Sequence, residues 1–107
     1  YQAVSHPLAR AAAHLEAARV MTYRAAEKFD SGTPAGDDAN IAKYLASEAS
    51  YAAVDAAIQT HGGSGFDKDT DIITLYPMIR ILRVAPLNNE MILNYIAEHI
   101  LGLPRSH

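Results

Sequence analysis

Apolar residues recur every three or four positions along segment 2–29. This spacing is typical of an amphipathic helix, because residues three or four positions apart share one helical face. It predicts a first helix from Gln2 to Phe29, followed by a polar turn over residues 30–36. The apolar face of this helix consists of Val4, Leu8, Ala11, Leu15, Ala18, Thr22, Ala25 and Phe29.

The pattern resumes after the turn and predicts a second helix that begins at Asp37 or Asp38 and continues to His61. Acidic residues favour a helix N-terminus, which carries partial positive charge. Many alanines between positions 46 and 57 favour close packing against a neighbour, so the two helices are expected to form an antiparallel hairpin. The apolar stripe of the second helix consists of Ile41, Leu45, Ala49, Ala52 and Ala56.

The remaining apolar segments predict shorter elements. Residues 80–84 alternate as a strand does, but no second strand is available to pair with them, so a short helix and an irregular connector are expected over 72–84. A final helix is predicted from Leu87 to Leu101, with Pro86 at its start. Its buried stripe is expected to consist of Ile92, Ile96 and Ile100.

These elements predict an all-α fold, an antiparallel helical bundle that forms one domain over residues 1–107. The net charge is −3 without a basic cluster, so nucleic acid is not an expected partner. The absence of cysteine excludes disulfides, thiolate zinc sites and a cysteine nucleophile. No apolar run reaches the ~18–20 residues of a membrane span, and a cytoplasmic location is expected. Because Tyr1 leads directly into a helix, the chain is expected to be a piece of a longer protein.

The most informative segment is 59–66, Gln-Thr-His-Gly-Gly-Ser-Gly-Phe, which contains half of the six glycines. A helix that ends in Gly-Gly-x-Gly has a backbone without Cβ atoms, whose N–H groups can approach a phosphate or a ring. The alternative is a helix C-cap followed by a plain connector. His61 can likewise serve as a favourable positive charge at the helix C-terminus.

Three other groups of polar residues are weaker candidates. Asp67, Asp69 and Asp71 begin like a calcium loop, but Ile72 and Met78 occupy the positions of its glycine and glutamate, so a solvated turn is expected. The histidines form no i, i+4 pair, and no metal site is expected. The third group, Glu48 and Asp55, shares a helical face, for which a salt-bridged or solvated role is favoured over acid–base catalysis.

The segment Asn88-Asn89-Glu90 follows Pro86 at the predicted start of the last helix. In structural terms it is a capping segment with an acid in the first helical turn. Alternatively, two amides and the free N–H groups of a helix N-terminus suit a phosphate or a ribose.

Together these segments resemble the C-terminal helical domain of the acyl-CoA dehydrogenase family. They occur in the family's order and at its spacing, and the resemblance covers essentially the whole chain. The most specific of them is the Gln-x-x-Gly-Gly-x-Gly element in its alanine-rich helical frame. The segments are residues 1–4, 15–19, 23–26, 41–43, 59–66 and 88–90.

The resemblance implies an FAD-dependent oxidoreductase that carries out α,β-dehydrogenation of acyl-CoA thioesters. It implies that the N-terminal helical domain and the middle β-domain lie outside this chain, which is then inactive alone. It further implies a homo-oligomer, usually a tetramer, and electron transfer to an electron-transfer flavoprotein.

By the same resemblance, the adenosine–pyrophosphate part of FAD is lined by Gln59, Thr60, His61, Gly62 and Gly63. Tyr1 and Gln2 match another contact to the cofactor. The residues Asn88, Asn89 and Glu90 match the segment that follows the family's catalytic position and touches the dinucleotide.

The chain departs from the family pattern at Pro86, the position at which many members carry the catalytic glutamate. Proline supplies neither a carboxylate nor a backbone N–H, so no catalytic residue is assigned. The preferred explanation is a base upstream of Tyr1; the others are a non-catalytic subunit of a mixed oligomer and a different activity. A second departure is Pro77-Met78, where the family often has Arg-Asp.

A function of another class remains open at this point. A helical dimerisation or ligand-binding module without a redox role would use the same helices, and its glycine turn would be only a connector. The side chain that distinguishes the two hypotheses is Gln59, because a connector has no need of its amide.

Overall fold

The computed structural model describes residues 1–105, which contain helices and turns but no β-strand. Helix α1 spans Gln2–Asp30 and helix α2 spans Gly36–His61, so both agree with the sequence prediction to within one or two residues. The two helices pack as an antiparallel hairpin, since residues near the end of α1 pair with residues near the start of α2. The all-α fold class predicted from the sequence is therefore confirmed.

The second half of the chain wraps around α2 in short elements. Helix α3 spans Ile72–Arg80 and is followed by a 3₁₀ turn at Ile81–Arg83, which confirms the short helix and connector. Helix α4 spans Asn89–Tyr95 and continues into a π-helical turn at Ile96–Ile100. Two 3₁₀ turns, Gly62–Phe66 and Lys68–Thr70, join α2 to α3.

The last helix differs from the prediction at its start. It begins at Asn89 rather than Leu87, because the side chain of Asn88 caps it by accepting a hydrogen bond of 2.8 Å from the N–H of Met91. Pro86 therefore lies in the connector before the cap and not at the helix start.

The predicted buried stripe of this last helix is only partly correct. Ile92 is 2 % exposed, Ile96 is half-buried, and Ile100 is 39 % exposed. The cause is the π-helical turn, in which hydrogen bonds span five residues, so that a spacing of four no longer follows one face.

The core between α1 and α2 is built from small side chains. Ala11, Ala18 and Ala25 of α1 recur every seven residues and are buried, as are Ala42 and Ala49 of α2. Side chains of this size let the two helix backbones approach closely.

The larger apolar residues of the predicted α1 face lie beside this alanine seam and are exposed. Val4, Leu8 and Leu15 are all open to solvent, and Phe29 is 77 % exposed. In the α2 stripe Ala52 is exposed as well. The amphipathic pattern therefore predicted the helices correctly, but only part of the apolar face is covered within the described chain.

A buried carboxylate with two partly exposed cations joins the two long helices next to their connecting turn. Asp38 is 3 % exposed and accepts hydrogen bonds from Arg24 at 2.7 and 3.0 Å, while the ammonium of Lys28 lies 2.8 Å from its Oδ2. The Arg24 guanidinium, followed by Lys28, holds the pKa of the Asp38 carboxyl well below its usual range. Asp38 therefore fixes the hairpin connection, in addition to its place in the first turn of α2.

Candidate functional site

The glycine turn directly follows helix α2 and folds back against it. Helix α2 ends at His61 and is capped by Gly62, whose φ of +61° lies in the left-handed region that favours glycine. Gly65 is buried, and a Cβ there would lie 2.9 Å from the carbonyl oxygen of Ile58 and 3.1 Å from its Cα. The turn thus folds back tightly onto the last turns of α2.

Gly63 differs from its two neighbours in the turn. A Cβ at this position would have no atom within 4 Å, and its φ lies outside the left-handed region. Neither conformation nor packing within residues 1–105 therefore requires a glycine here. Gly62 and Gly63 are both exposed, so the turn presents bare backbone to its surroundings.

Of the polar side chains just before the turn, His61 and Thr60 hydrogen-bond to carbonyl oxygens of α2, whereas Gln59 does not. His61 Nδ1 lies 2.8 Å from the carbonyl oxygen of Ala57, which only accepts, so Nδ1 carries the hydrogen and Nε2 is left for another partner. Thr60 donates to the carbonyl oxygen of Ala56 at 2.7 Å. Gln59 is exposed and makes no side-chain hydrogen bond within residues 1–105, so its amide is available to a ligand.

An open groove of about 550 Å³ separates the start of α1 from the end of α2. It places Gln59 and Thr60 beside the residues that directly follow Tyr1 and Gln2. The two sequence-predicted groups at the chain start and at the glycine turn therefore lie at the same end of the hairpin. The groove is lined by Ala3, Val4, Pro7, Tyr51, Ala52, Asp55, Ala56, Gln59 and Thr60.

The third predicted group, Asn88, Asn89 and Glu90, lies elsewhere on the bundle. Asn89 is 4 % exposed, and its amide nitrogen donates to Ser47 Oγ and Glu48 Oε1, both at 2.9 Å. Asn88 caps α4 through its side-chain oxygen, so its amide nitrogen and the carboxylate of Glu90 make no hydrogen bond within residues 1–105. At 1.5 Å per residue, Ser47 lies about 20 Å along α2 from the glycine turn.

Sequence reasoning missed Lys43 as a member of this second cluster. Its ammonium donates to the carbonyl oxygens of Leu82 and Leu87, both at 2.7 Å, and to Asn89 Oδ1 at 2.8 Å. The available signal was a lysine between Ala42 and Tyr44 on a half-buried helical face. A cation in such a place requires acceptors nearby.

The salt-bridged interpretation of Glu48 is confirmed. Its Oε1 lies 3.1 Å from Arg83 Nε as well as accepting from Asn89. The guanidinium of Arg83 also lies 4.9 Å from the ring centroid of Tyr51, whose hydroxyl is 3.2 Å from that of Tyr76. The hydrogen bond to Tyr51, followed by burial, raises the pKa of Tyr76. These contacts pack α3 and its connector onto α2.

Among residues 1–105, no group of three or more histidine or acidic side chains is placed to hold a metal ion. None of the helices in this range is long and apolar enough to cross a membrane.

Comparison with known proteins connects this geometry to a family. The family model described as "Acyl-CoA dehydrogenase, C-terminal domain" matches residues 1–101. Acyl-CoA dehydrogenase FadE12 of Mycobacterium tuberculosis is 43 % identical over 109 aligned positions, which cover 100 % of this chain and 28 % of that protein. The 3-(aryl)acrylate reductase of Clostridium sporogenes is 37 % identical, covering 94 % of this chain and 27 % of the reductase.

The rat mitochondrial short/branched chain specific acyl-CoA dehydrogenase is 35 % identical, covering 94 % of this chain and 23 % of that enzyme. A solved structure described as an FAD complex of PigA superposes with a TM-score of 0.91 at 32 % identity, covering 96 % of this chain and 27 % of that one. The chain thus spans about a quarter of the length of the curated relatives that it matches. By sequence and by fold, it belongs to the acyl-CoA dehydrogenase family, as a C-terminal domain.

Proposed function

We propose that this chain is the C-terminal part of an FAD-dependent acyl-CoA dehydrogenase-like oxidoreductase, to which it contributes FAD contacts and oligomer surface. The observation that carries the proposal is the presence of a glycine at position 63. The fold gives no internal reason for a glycine at this exposed position, whereas close approach by an external group does. The solved FAD complex with the same fold supports FAD as that group.

The residues around the turn fit a dinucleotide. Gln59 has a free amide, His61 has a free Nε2, and Gly62 and Gly63 offer bare backbone beside them. In the proposed site, these groups and Thr60 hold the adenosine–pyrophosphate part. Tyr1 and Gln2, at the same end of the hairpin, add a further contact.

FAD, when bound, supplies the acceptor for the hydride that leaves the β-carbon of an acyl-CoA. The part of this chain is to bind and orient the cofactor. The side-chain oxygens of Asn88 and Asn89 and the amide nitrogen of Asn89 are engaged within the bundle, so their segment contacts the dinucleotide through the amide nitrogen of Asn88, through Glu90 or through backbone. Because this segment lies about 20 Å along α2 from the glycine turn, the two groups contact different parts of the bound cofactor or different cofactors.

The base that removes the α-proton is proposed to lie upstream of Tyr1. Pro86 has no carboxylate, and Glu48, which lies near its connector, is engaged with Arg83 and Asn89. A non-catalytic subunit and a different activity remain the alternatives to an upstream base. One relative is named a reductase, which supports a different activity as an alternative.

The oligomer role rests on the apolar surface that the hairpin leaves uncovered. Leu8, Leu15 and Val20 of α1, together with Met78 of α3, are exposed. Apolar side chains in this number are expected to be covered by other subunits or domains. The tetramer, the electron-transfer flavoprotein and the cytoplasmic location stay predictions.

Two substitutions in the intact protein test the FAD site. Gly63→Val adds a side chain where the backbone is proposed to meet the cofactor, and Gln59→Ala removes the free amide. Each is expected to weaken FAD binding about tenfold or more, the equivalent of roughly 1.4 kcal/mol. The measurement is the ratio of FAD to protein, by absorbance, after gel filtration at decreasing protein concentration.

Asn94→Ala is the matched control for Gln59→Ala, because it removes an exposed amide from a different part of the bundle. Its FAD ratio should equal that of the unmodified protein. If Gly63→Val and Gln59→Ala also retain FAD normally, the glycine turn is only a connector, and the dimerisation or ligand-binding module becomes the better hypothesis.

The isolated chain provides an independent test. Because the flavin ring and the substrate are proposed to need the other domains, the purified 107-residue chain should show no dye reduction with FAD and an acyl-CoA beyond a flavin-only blank. The intact protein, assayed in parallel, should show turnover. Activity of the isolated chain above the blank would refute the proposed division of roles.

A further inference from the structure

The hydroxyl of Ser64 bridges the two exposed glycines of the turn. It donates a hydrogen bond of 2.7 Å to the carbonyl oxygen of His61, which closes a ring that contains the backbone of Gly62 and Gly63. The hydroxyl has a single hydrogen, and this contact uses it. Because His61 is the last residue of α2, the bond ties the bare backbone of the turn to the end of a long helix.

The carbonyl group of Ser64 is held from the other side by the 3₁₀ turn Lys68–Thr70. Its oxygen accepts from the backbone N–H of Asp67 at 3.1 Å and from the Thr70 hydroxyl at 3.2 Å. The same Thr70 hydroxyl lies 2.8 Å from the carbonyl oxygen of Asp67. Ser64 is thus fixed twice, by its side chain to α2 and by its carbonyl oxygen to the turn that follows.

The two glycines inside this ring have no side chains of their own to restrict them. Both are exposed, and a Cβ at either position would meet no atom within 4 Å. Glycine loses more conformational freedom on ordering than any other residue. A flexible pair would lose that freedom when a ligand binds, which weakens binding, whereas a pair that is ordered beforehand would not. The Ser64 hydroxyl supplies such ordering, since its bond spans both residues.

We propose that Ser64 is a positioning residue for the cofactor, which orders the backbone of Gly62 and Gly63 in the form that the intact protein uses to bind the adenosine–pyrophosphate part of FAD. The inference rests on the proposed function. Thr70 assists by fixing the carbonyl group of Ser64. Neither side chain is assigned a contact with the cofactor, because the hydroxyl hydrogen of each is already bonded to backbone carbonyl oxygens.

The test compares Ser64→Ala and Ser64→Thr with the unmodified intact protein. Ser64→Ala loses the hydroxyl, so its dissociation constant for FAD should rise about fivefold, the equivalent of roughly 1 kcal/mol. Ser64→Thr keeps the hydroxyl and should bind FAD within about twofold of the unmodified protein. The dissociation constant follows from the FAD-to-protein ratio at decreasing protein concentration. Amide hydrogen exchange of residues 62–66, measured in the intact protein freed of FAD, should rise in Ser64→Ala and stay unchanged in Ser64→Thr.

Ser31→Ala is the matched control, because Ser31 also donates to the carbonyl oxygen three residues before it, that of Lys28, at 3.0 Å. The substitution removes the same kind of bond at the end of α1, which lies at the opposite end of the hairpin from the glycine turn. Its dissociation constant for FAD should stay unchanged. The control thus separates the general effect of losing such a bond from an effect on the cofactor.

Unchanged FAD binding in Ser64→Ala, or an equal loss of binding in Ser64→Thr or Ser31→Ala, overturns the positioning role. Weaker FAD binding with unchanged exchange of residues 62–66 overturns it as well, since the hydroxyl would then act on the cofactor directly. If Ser64→Ala does not fold, Thr70→Val decides by the same criteria, with an expected loss of FAD affinity of about two- to threefold. Failure of the unmodified protein to hold FAD counts instead against the proposed function.

Discussion

Replacing Gly65 with alanine is expected to destabilise the chain by about 2 kcal/mol, because the added methyl group has no space. Its Cβ would lie 2.9 Å from the carbonyl oxygen of Ile58 and 3.1 Å from Cα of the same residue. Both are backbone atoms of α2, so neither can move aside by changing a side-chain rotamer. The turn must shift as a whole, and with it the exposed backbone of Gly62 and Gly63. Urea unfolding followed by circular dichroism at 222 nm measures the loss.

Gly63→Ala provides the matched comparison two residues away. Its added methyl group meets no atom within 4 Å and its φ is not in the left-handed region, so stability should change by less than about 0.5 kcal/mol. Equal destabilisation by the two substitutions would show that the turn is not packed as described. It would also remove the reason for assigning Gly63 to an external ligand.

These two glycines show what the sequence could predict about the site and what it could not. The run of glycines after an alanine-rich helix was enough to indicate a turn with accessible backbone. It could not separate Gly65, which the fold needs, from Gly63, which it does not, because that difference depends on the distance to Ile58 across the turn. Only the folded geometry assigns the two residues different roles.

The long helices were predictable because their periodicity extends over many turns. The degree to which each apolar residue is buried could not be predicted. Periodicity shows that Leu8 and Leu15 share a face with Ala11 and Ala18, but it does not say which of them a partner covers. In the structure the alanines form the contact and the leucines stay exposed. A face that is covered by other subunits or domains gives the same sequence pattern as one covered within the chain.

The polar cluster near Pro86 was predicted least well. Sequence reasoning treated Asn88 and Asn89 alike, as caps or as cofactor contacts. The structure makes Asn88 the cap of α4 and places Asn89 inside, where it bonds to Ser47, Glu48 and Lys43. These partners lie some forty positions earlier in the chain, and contacts over such separations leave no local pattern to detect.

The largest effect of pH on stability is expected from Asp38. Because Arg24 and Lys28 hold the pKa of its carboxyl below the unfolded value of about 3.9, the contribution of Asp38 to stability is fully present above about pH 4–5. It is lost progressively as the pH falls below that range toward the folded pKa. At pH 7, Asp38→Asn should lower the Tm by about 5–10 °C, since the buried side chain loses the negative charge that strengthens its contacts with Arg24 and Lys28. Thermal unfolding of the chain from pH 7 down to pH 2 measures both effects.

Two results together test the role of the Asp38 charge: a lower Tm at pH 7 and a shallower dependence of Tm on pH in acid. The carboxamide cannot titrate, so the Tm of Asp38→Asn should fall less steeply below pH 4 than that of the unmodified chain, and the two curves should converge in acid. Asp69→Asn, which makes the same change of charge at an exposed position, should follow the unmodified curve. Parallel curves for Asp38→Asn and the unmodified chain would mean that the carboxyl has the same pKa folded and unfolded. The charges of Arg24 and Lys28 would then contribute nothing to the stability of the hairpin through Asp38.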